Sequence, residues 1–152
     1  MSDKYVEKWK QAHINAEKVF AKIFARFPNL QVIENKDDPV EISYTFPVQE
    51  GLKYKVWLCL QNNDELHLGV ENFWVSWFSC AYEEVVQKYE DAVIKFLSGE
   101  NRIVEYYNGK RCAKAILQRF ENGEWVNGAG SLHAFSALGF WKRKTQKIIQ
   151  SI

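Results

Sequence analysis

The sequence contains little of what would place it in several large classes of protein. Its 152 residues include three cysteines and three prolines, and no hydrophobic run approaches the ~20 residues needed to span a bilayer. Cys59, Cys80 and Cys112 are scattered, so they predict reduced thiols rather than a disulfide framework. The N-terminal segment lacks the short apolar core of a secretory signal. We therefore expect a cytoplasmic protein without membrane contact.

Acidic residues are absent from the last part of the sequence. All 19 acidic residues lie at or before Glu124, whereas Lys142, Arg143, Lys144 and Lys147 follow it. Such asymmetry can indicate a segment that binds polyanions. Four charges on one helix are more often its solvated face, and we favour that interpretation.

Apolar and aromatic residues, by contrast, are abundant. Hydrophobic residues make up 47% of the sequence and aromatic residues 15%. This composition argues against disorder and predicts a large aromatic core. The length suits one domain that spans residues 1–152.

Residues 40–71 carry the most informative pattern. Even positions are apolar and odd positions are mostly polar across two turns, which predicts three antiparallel strands with one buried face and one solvent-facing face. The loop at residues 62–64 fixes the register of the second and third strands. On the buried face the expected pairs are Leu60–Leu66, Leu58–Leu68 and Val56–Val70. On the solvent-facing side they are Cys59–His67, Trp57–Gly69 and Lys55–Glu71.

The remaining elements follow from apolar spacing and turn residues. Helical spacing predicts helices over residues 3–27, 82–97 and 137–152. Asn-Gly pairs at 108–109 and 122–123 predict hairpins, and residues 127–131 predict a flexible glycine-rich break. The predicted fold class is α+β: an antiparallel sheet of about five to six strands with helices on one face, in the order α-β-β-β-α-β-β-(β)-α.

This element order is similar to that of the small dimeric chaperones that escort type III secretion effectors. The similarity covers the whole chain but consists of element order alone, without a residue motif. It implies a protein that uses no cofactor and binds unfolded segments of a protein partner. It assigns no site residue.

Candidate catalytic and metal-binding residues are sparse. His13, His67 and His133 are far apart, and no Cys/His pair has zinc-ligand spacing, so we predict neither a metal nor a cofactor. The predicted neighbours Cys59 and His67 could act as nucleophile and base. However, no orienting Asn or Asp is identifiable, so two polar-tolerant neighbours on a sheet are the preferred interpretation. No catalytic residue is predicted, and the sequence leans toward a protein that is not an enzyme.

The solvent-facing side of the strands is the predicted binding surface. Trp57 on a polar face has the character of an interface anchor, and Lys55, Cys59, His67 and Glu71 complete the candidate site. The competing interpretation is that another element covers this face and makes Trp57 part of the core. Nucleic acid is not favoured as a partner, because three glutamates on this face would repel phosphates.

The sequence therefore leaves two hypotheses about function. The first is a non-catalytic protein-binding module, chaperone-like or immunity-type and of a small bacterial type, that binds a protein partner or associates with itself through the face around Trp57. The second is a small-ligand-binding protein or enzyme with a pocket near the glycine-rich residues 127–131. That segment resembles a phosphate-binding loop but lacks the Lys-Ser/Thr of a nucleotide-binding motif.

Overall fold

The computed structural model describes residues 2–132 and 143–152, which form two helices and two antiparallel sheets. The helices are α1 (Asp3–Arg26) and α2 (Glu83–Leu97). The first sheet is a meander, with strands in the order β1 (Ile33–Glu34), β2 (Ile42–Phe46), β3 (Val56–Gln61), β4 (Glu65–Val70) and β5 (Phe73–Trp77). The second sheet has the order β8 (Glu124–Leu132), β7 (Arg111–Glu121), β6 (Asn101–Asn108) and β9 (Lys144–Ile149). The predicted α+β class with antiparallel pairing is confirmed.

The register predicted for β3 and β4 is confirmed from the loop as far as Trp57. The observed pairs include Leu60–Leu66, Leu58–Leu68, Cys59–His67 and Trp57–Gly69. The loop works as expected, because Asn62 and Asn63 have φ angles of +54° and +68°, a region that asparagine tolerates. The alternation of apolar and polar residues and the asparagines of the loop were therefore sufficient to predict the register of this hairpin.

The predicted Lys55–Glu71 pair is wrong. Glu71 has a φ of +51° and lies in the turn to β5, while Lys55 precedes the first residue of β3. The Glu71 carboxylate instead lies 3.5 Å from Lys147 Nζ. The chain therefore reverses at Glu71, and residues 73–77 form a separate strand rather than an extension of β4.

The apolar face of the first sheet is buried against the helices. Apolar residues of β2 to β5 share one buried cluster with α1 and α2. The cluster also includes Ile103, Ala115, Leu117 and Ile149 of the second sheet. Burial of these side chains is the main stabilising term.

The predicted C-terminal helix is wrong where the structure describes it. Residues 144–149 form β9, which pairs with β6 so that Ile149 lies opposite Ile103. Residues 137–142 of that prediction lie outside the described residues. β-Branched side chains favour strands, and this stretch contains Thr145, Ile148 and Ile149. Lys144 and Lys147 consequently do not share the solvated face of a helix, since residues three apart on a strand point to opposite sides.

Two further expectations need correction. The strands form two sheets rather than one, and residues 127–131 lie within β8 rather than in a flexible break. Gly128 and Gly130 allow close strand approach, because a Cβ would lie 3.1 Å from Leu117 O and 3.2 Å from Ala115 O, respectively. The element order therefore departs from that of the secretion chaperones in the number of strands and in its final element, and the resemblance loses its basis.

A buried carboxylate joins the two sheets. Glu105 on β6 is completely buried, and its Oε1 accepts a hydrogen bond of 2.8 Å from the backbone N–H of Asn72 in the β4–β5 turn. Its Oε2 accepts a hydrogen bond of 2.5 Å from the hydroxyl of Tyr107. This contact holds the tip of the first sheet against the second and so fixes the position of β5.

Candidate functional site

Two tryptophans stack on the face of the first sheet that the sequence predicted to face solvent. Pairing across β3, β4 and β5 places Trp57, Gly69 and Trp74 in one row. The two indole rings stack with centroids 4.1 Å apart and an interplanar angle of 28°. A Cβ at Gly69 would lie 3.1 Å from Trp74 and 3.3 Å from Trp57, so the rings fit because this position lacks a side chain.

Polar groups from β2 and the loop before it fix the indole of Trp57. Trp57 Nε1 donates hydrogen bonds of 2.8 Å to Ser43 Oγ and 3.3 Å to Asp38 Oδ2. Ser43 Oγ in turn donates to Asp38 Oδ2 at 2.5 Å. Asn35 Nδ2 donates to Ser43 Oγ and to Thr45 Oγ1. Trp57 is half-buried. Hydrogen bonds hold the edge of its ring, and the stacked ring of Trp74 holds its face.

The exposed member of the pair is Trp74, of which 47% is accessible to solvent. Trp74 was not among the predicted site residues, because the side of the sheet on which residues 73–78 lie depends on the turn at Glu71. The stacking partner Trp57 was a predicted site residue, and its pairing with Gly69 was predicted. A glycine opposite Trp57 in the predicted pairing was the signal that an aromatic ring covers Gly69.

Cys59 and His67 lie side by side as predicted but are buried rather than exposed. Cys59 is inaccessible to solvent and His67 is 6% exposed. The ring of His67 lies beside Trp74, with centroids 5.5 Å apart, and beside Trp57 at 6.4 Å. The tryptophan pair thus covers part of the face, which alternation alone would leave open to water.

The electrostatics of this pair do not favour a nucleophile. Burial raises the pKa of the Cys59 thiol to about 12, and the negative charges of Asp38, Glu41 and Glu65 add to that effect. Burial lowers the pKa of His67, although a contact of 3.2 Å from Nε2 to Glu65 Oε2 acts in the opposite direction. His67 Nδ1 is buried without a hydrogen-bond partner among the described residues. Near neutral pH Cys59 is therefore a neutral thiol, whereas a nucleophile requires a thiolate.

Cys59 should consequently resist alkylation in the folded protein. We expect iodoacetamide to modify Cys59 at least ~100-fold more slowly in the native protein than in urea, because the thiol is both protonated and inaccessible. Peptide mapping by mass spectrometry of timed samples measures the rate, and the urea-unfolded chain is the reference. A native rate close to the unfolded rate would instead support the nucleophile–base interpretation of Cys59 and His67.

Lys55 and Glu71 do not belong to this cluster. Lys55 is exposed ahead of β3, and Glu71 lies in the β4–β5 turn beside Lys147. The structure therefore brings together Trp57, Cys59 and His67 of the predicted site residues and separates the other two from them.

A cavity lies beside the glycine-rich residues of the second hypothesis. It has a volume of about 170 Å³, and its lining includes Trp77, Lys88, Asp91 and Arg119 as well as Gly128 and Ala129. Ligand sites for small molecules usually enclose ~300–1,000 Å³. The glycines are explained by strand packing, and the cavity is small, so this hypothesis gains little from the geometry.

In the part of the chain that the structure describes, no three His, Cys, Asp or Glu side chains are grouped as metal ligands. Within residues 2–132 and 143–152, neither helix is long and apolar enough to cross a membrane. No protein-family model, curated protein sequence or solved structure matches this chain. Its function must therefore be argued from its own side chains.

Proposed function

We propose that this protein is a non-catalytic protein-binding module whose anchor is the exposed indole of Trp74. The observation that carries the proposal is the stacked pair: Trp74 is 47% exposed, yet its ring rests on Trp57, whose own N–H is fixed by Ser43 and Asp38. Large aromatic side chains dominate the binding energy of many protein interfaces. A ring that is ordered before binding loses less conformational entropy when a partner covers it.

The charges beside the pair define the chemistry of the partner. Asp38, Glu41 and Glu65 lie close enough to Cys59 to raise the pKa of its thiol. Asp38 Oδ2 accepts a hydrogen bond from Trp57 Nε1, and Glu65 contacts His67, whose ring lies beside Trp74. Basic side chains can interact with both carboxylates and the face of an indole ring. The partner expected is a protein surface that presents an apolar group flanked by Lys or Arg.

The test compares Trp74→Ala with Phe120→Ala. Phe120 is a matched control, because it is 56% exposed but lies on β7 of the second sheet. Proteins captured from extracts of the native host are quantified for the wild type and both variants, and sedimentation velocity measures self-association. We expect Trp74→Ala to weaken capture or self-association at least ~10-fold, whereas Phe120→Ala leaves it unchanged.

Thermal unfolding accompanies the comparison, so that loss of binding is not mistaken for loss of the fold. A half-exposed ring contributes little to the core, and we expect Trp74→Ala to remain folded at the temperature of the assay. Equal capture by Trp74→Ala and the wild type would contradict the proposed anchor. Equal losses in both variants would indicate nonspecific adhesion of exposed aromatic rings.

A further inference from the structure

A larger cavity lies on the second sheet, at the end of β6 that contains Tyr106, Tyr107 and Asn108. Its volume is about 520 Å³, which is within the ~300–1,000 Å³ typical of small-molecule sites. Tyr106 pairs with Lys114 on β7 and Gln146 on β9, and Asn108 pairs with Lys144. Successive residues on one side of a strand therefore build a continuous wall for the cavity.

Neutral groups hold both lysines of this wall. Lys114 Nζ lies 4.7 Å from the ring centroid of Tyr106, and Lys144 Nζ donates a hydrogen bond to Asn108 Oδ1. Among the described residues, neither lysine is within ion-pair distance of a carboxylate. Two ammonium groups that lack a counter-charge in the protein attract an anion from solution.

The charged residues that line the cavity are both lysines. The sequence has no acidic residue between Glu105 and Glu121, and none after Glu124. Glu105 points to the opposite side of β6 from Tyr106 and Asn108, and its carboxylate accepts hydrogen bonds from the backbone of Asn72 and from Tyr107, which lines the cavity. Arg111 and Arg143 lie at the same end of the sheet, where the turn between β6 and β7 contacts Arg143 through a backbone hydrogen bond.

We propose that this cavity binds a small, multiply charged anion of the phosphorylated or polycarboxylated class. Lys114 and Lys144 neutralise the ligand, since an ammonium group binds phosphate and carboxylate as a compact charge with three donors. Thr145 and Gln146 in the lining supply neutral hydrogen-bonding groups. The site lies on the second sheet and does not depend on the Trp74 surface, so it is a binding activity in addition to protein recognition.

The experiment is isothermal titration calorimetry of the full chain at low salt with three probes: pyrophosphate, citrate and a thymidine oligonucleotide. Pyrophosphate and citrate distinguish a phosphate ligand from a carboxylate ligand. We expect one-to-one binding of at least one of these two anions, weakened at least ~10-fold in Lys114→Gln/Lys144→Gln and weakened by added salt. The control is Lys10→Gln/Lys36→Gln, which removes the same charge from exposed positions outside the cavity lining and should bind as the wild type does.

Three outcomes would overturn the proposal. They are no binding of either small anion, equal weakening by both double variants, and preferential binding of the oligonucleotide with affinity that grows with its length. The last would identify a nucleic-acid surface instead of a small-ligand cavity. Both double variants are first checked by thermal unfolding. If Lys114→Gln/Lys144→Gln unfolds early, Lys144→Gln alone serves for the same comparison, because Lys144 lies on an edge strand.

Discussion

Replacement of Glu105 by alanine should lower the free energy of unfolding by about 3–4 kcal/mol. The Glu105 side chain is completely buried and accepts hydrogen bonds from the backbone N–H of Asn72 and the hydroxyl of Tyr107. Alanine would leave both donors without this acceptor and would open space between the two sheets. The loss of the two hydrogen bonds and the cost of a cavity both contribute.

Chemical denaturation with urea, followed by circular dichroism, measures the effect of Glu105→Ala. Glu105→Gln is the conservative comparison, since its amide oxygen can still accept from Asn72, and we expect it to recover more than half of the loss. The control is Glu121→Ala at the exposed end of β7, where the expected change is below ~0.5 kcal/mol. A Glu105→Ala variant as stable as the wild type would mean that the contact between Glu105 and the β4–β5 turn contributes nothing to stability.

Trp57→Ala should cost about 2–3 kcal/mol of stability. The side chain is half-buried, stacks on Trp74 and donates hydrogen bonds to Ser43 and Asp38. Alanine would remove the ring that covers Gly69 and would leave Ser43 and Asp38 without their shared donor. The role of Trp57 is thus to support the fold beneath Trp74, so its loss should reduce partner binding indirectly.

Urea denaturation of Trp57→Ala and Trp57→Phe separates the two contributions of the indole. Phenylalanine retains an aromatic ring over Gly69 but lacks the N–H donor, so we expect an intermediate loss of stability. If the midpoint of urea unfolding of Trp57→Ala equals that of the wild type, Trp57 does not support the fold. That result would favour the alternative, in which Trp57 is an exposed interface anchor.

The sequence was most informative where a short loop determines the pairing of the two strands that it connects. Asparagines at 62 and 63 tolerate positive φ, and that short loop determines each β3–β4 pair back to Trp57–Gly69. The neighbourhood of Cys59 and His67 could therefore be predicted. Their burial could not, because it depends on how other elements pack on this face, as the ring of Trp74 on β5 packs beside His67. The turn that places β5 depends on Glu71, a residue without a strong turn preference.

Similar limits explain the errors in the second half of the chain. The inward-facing positions predicted at 138, 141, 145, 148 and 152 fit helical spacing, yet three of the residues from 145 to 149 are β-branched and pair with β6. Pairing with a strand more than 30 residues earlier is a tertiary effect that spacing does not encode. The glycines at 128 and 130 predicted a flexible break, whereas in the structure they lie in β8 and allow its close approach to β7.

The stacked tryptophans also make the proposed binding surface an optical reporter of its own state. Two indoles 4.1 Å apart at an angle of 28° are close enough for their electronic transitions to couple. Coupled transitions produce an exciton couplet in circular dichroism whose sign and amplitude depend on the angle between the rings. The protein therefore carries a label-free chromophore at Trp57 and Trp74, and any partner that tilts the exposed ring changes the spectrum of the pair.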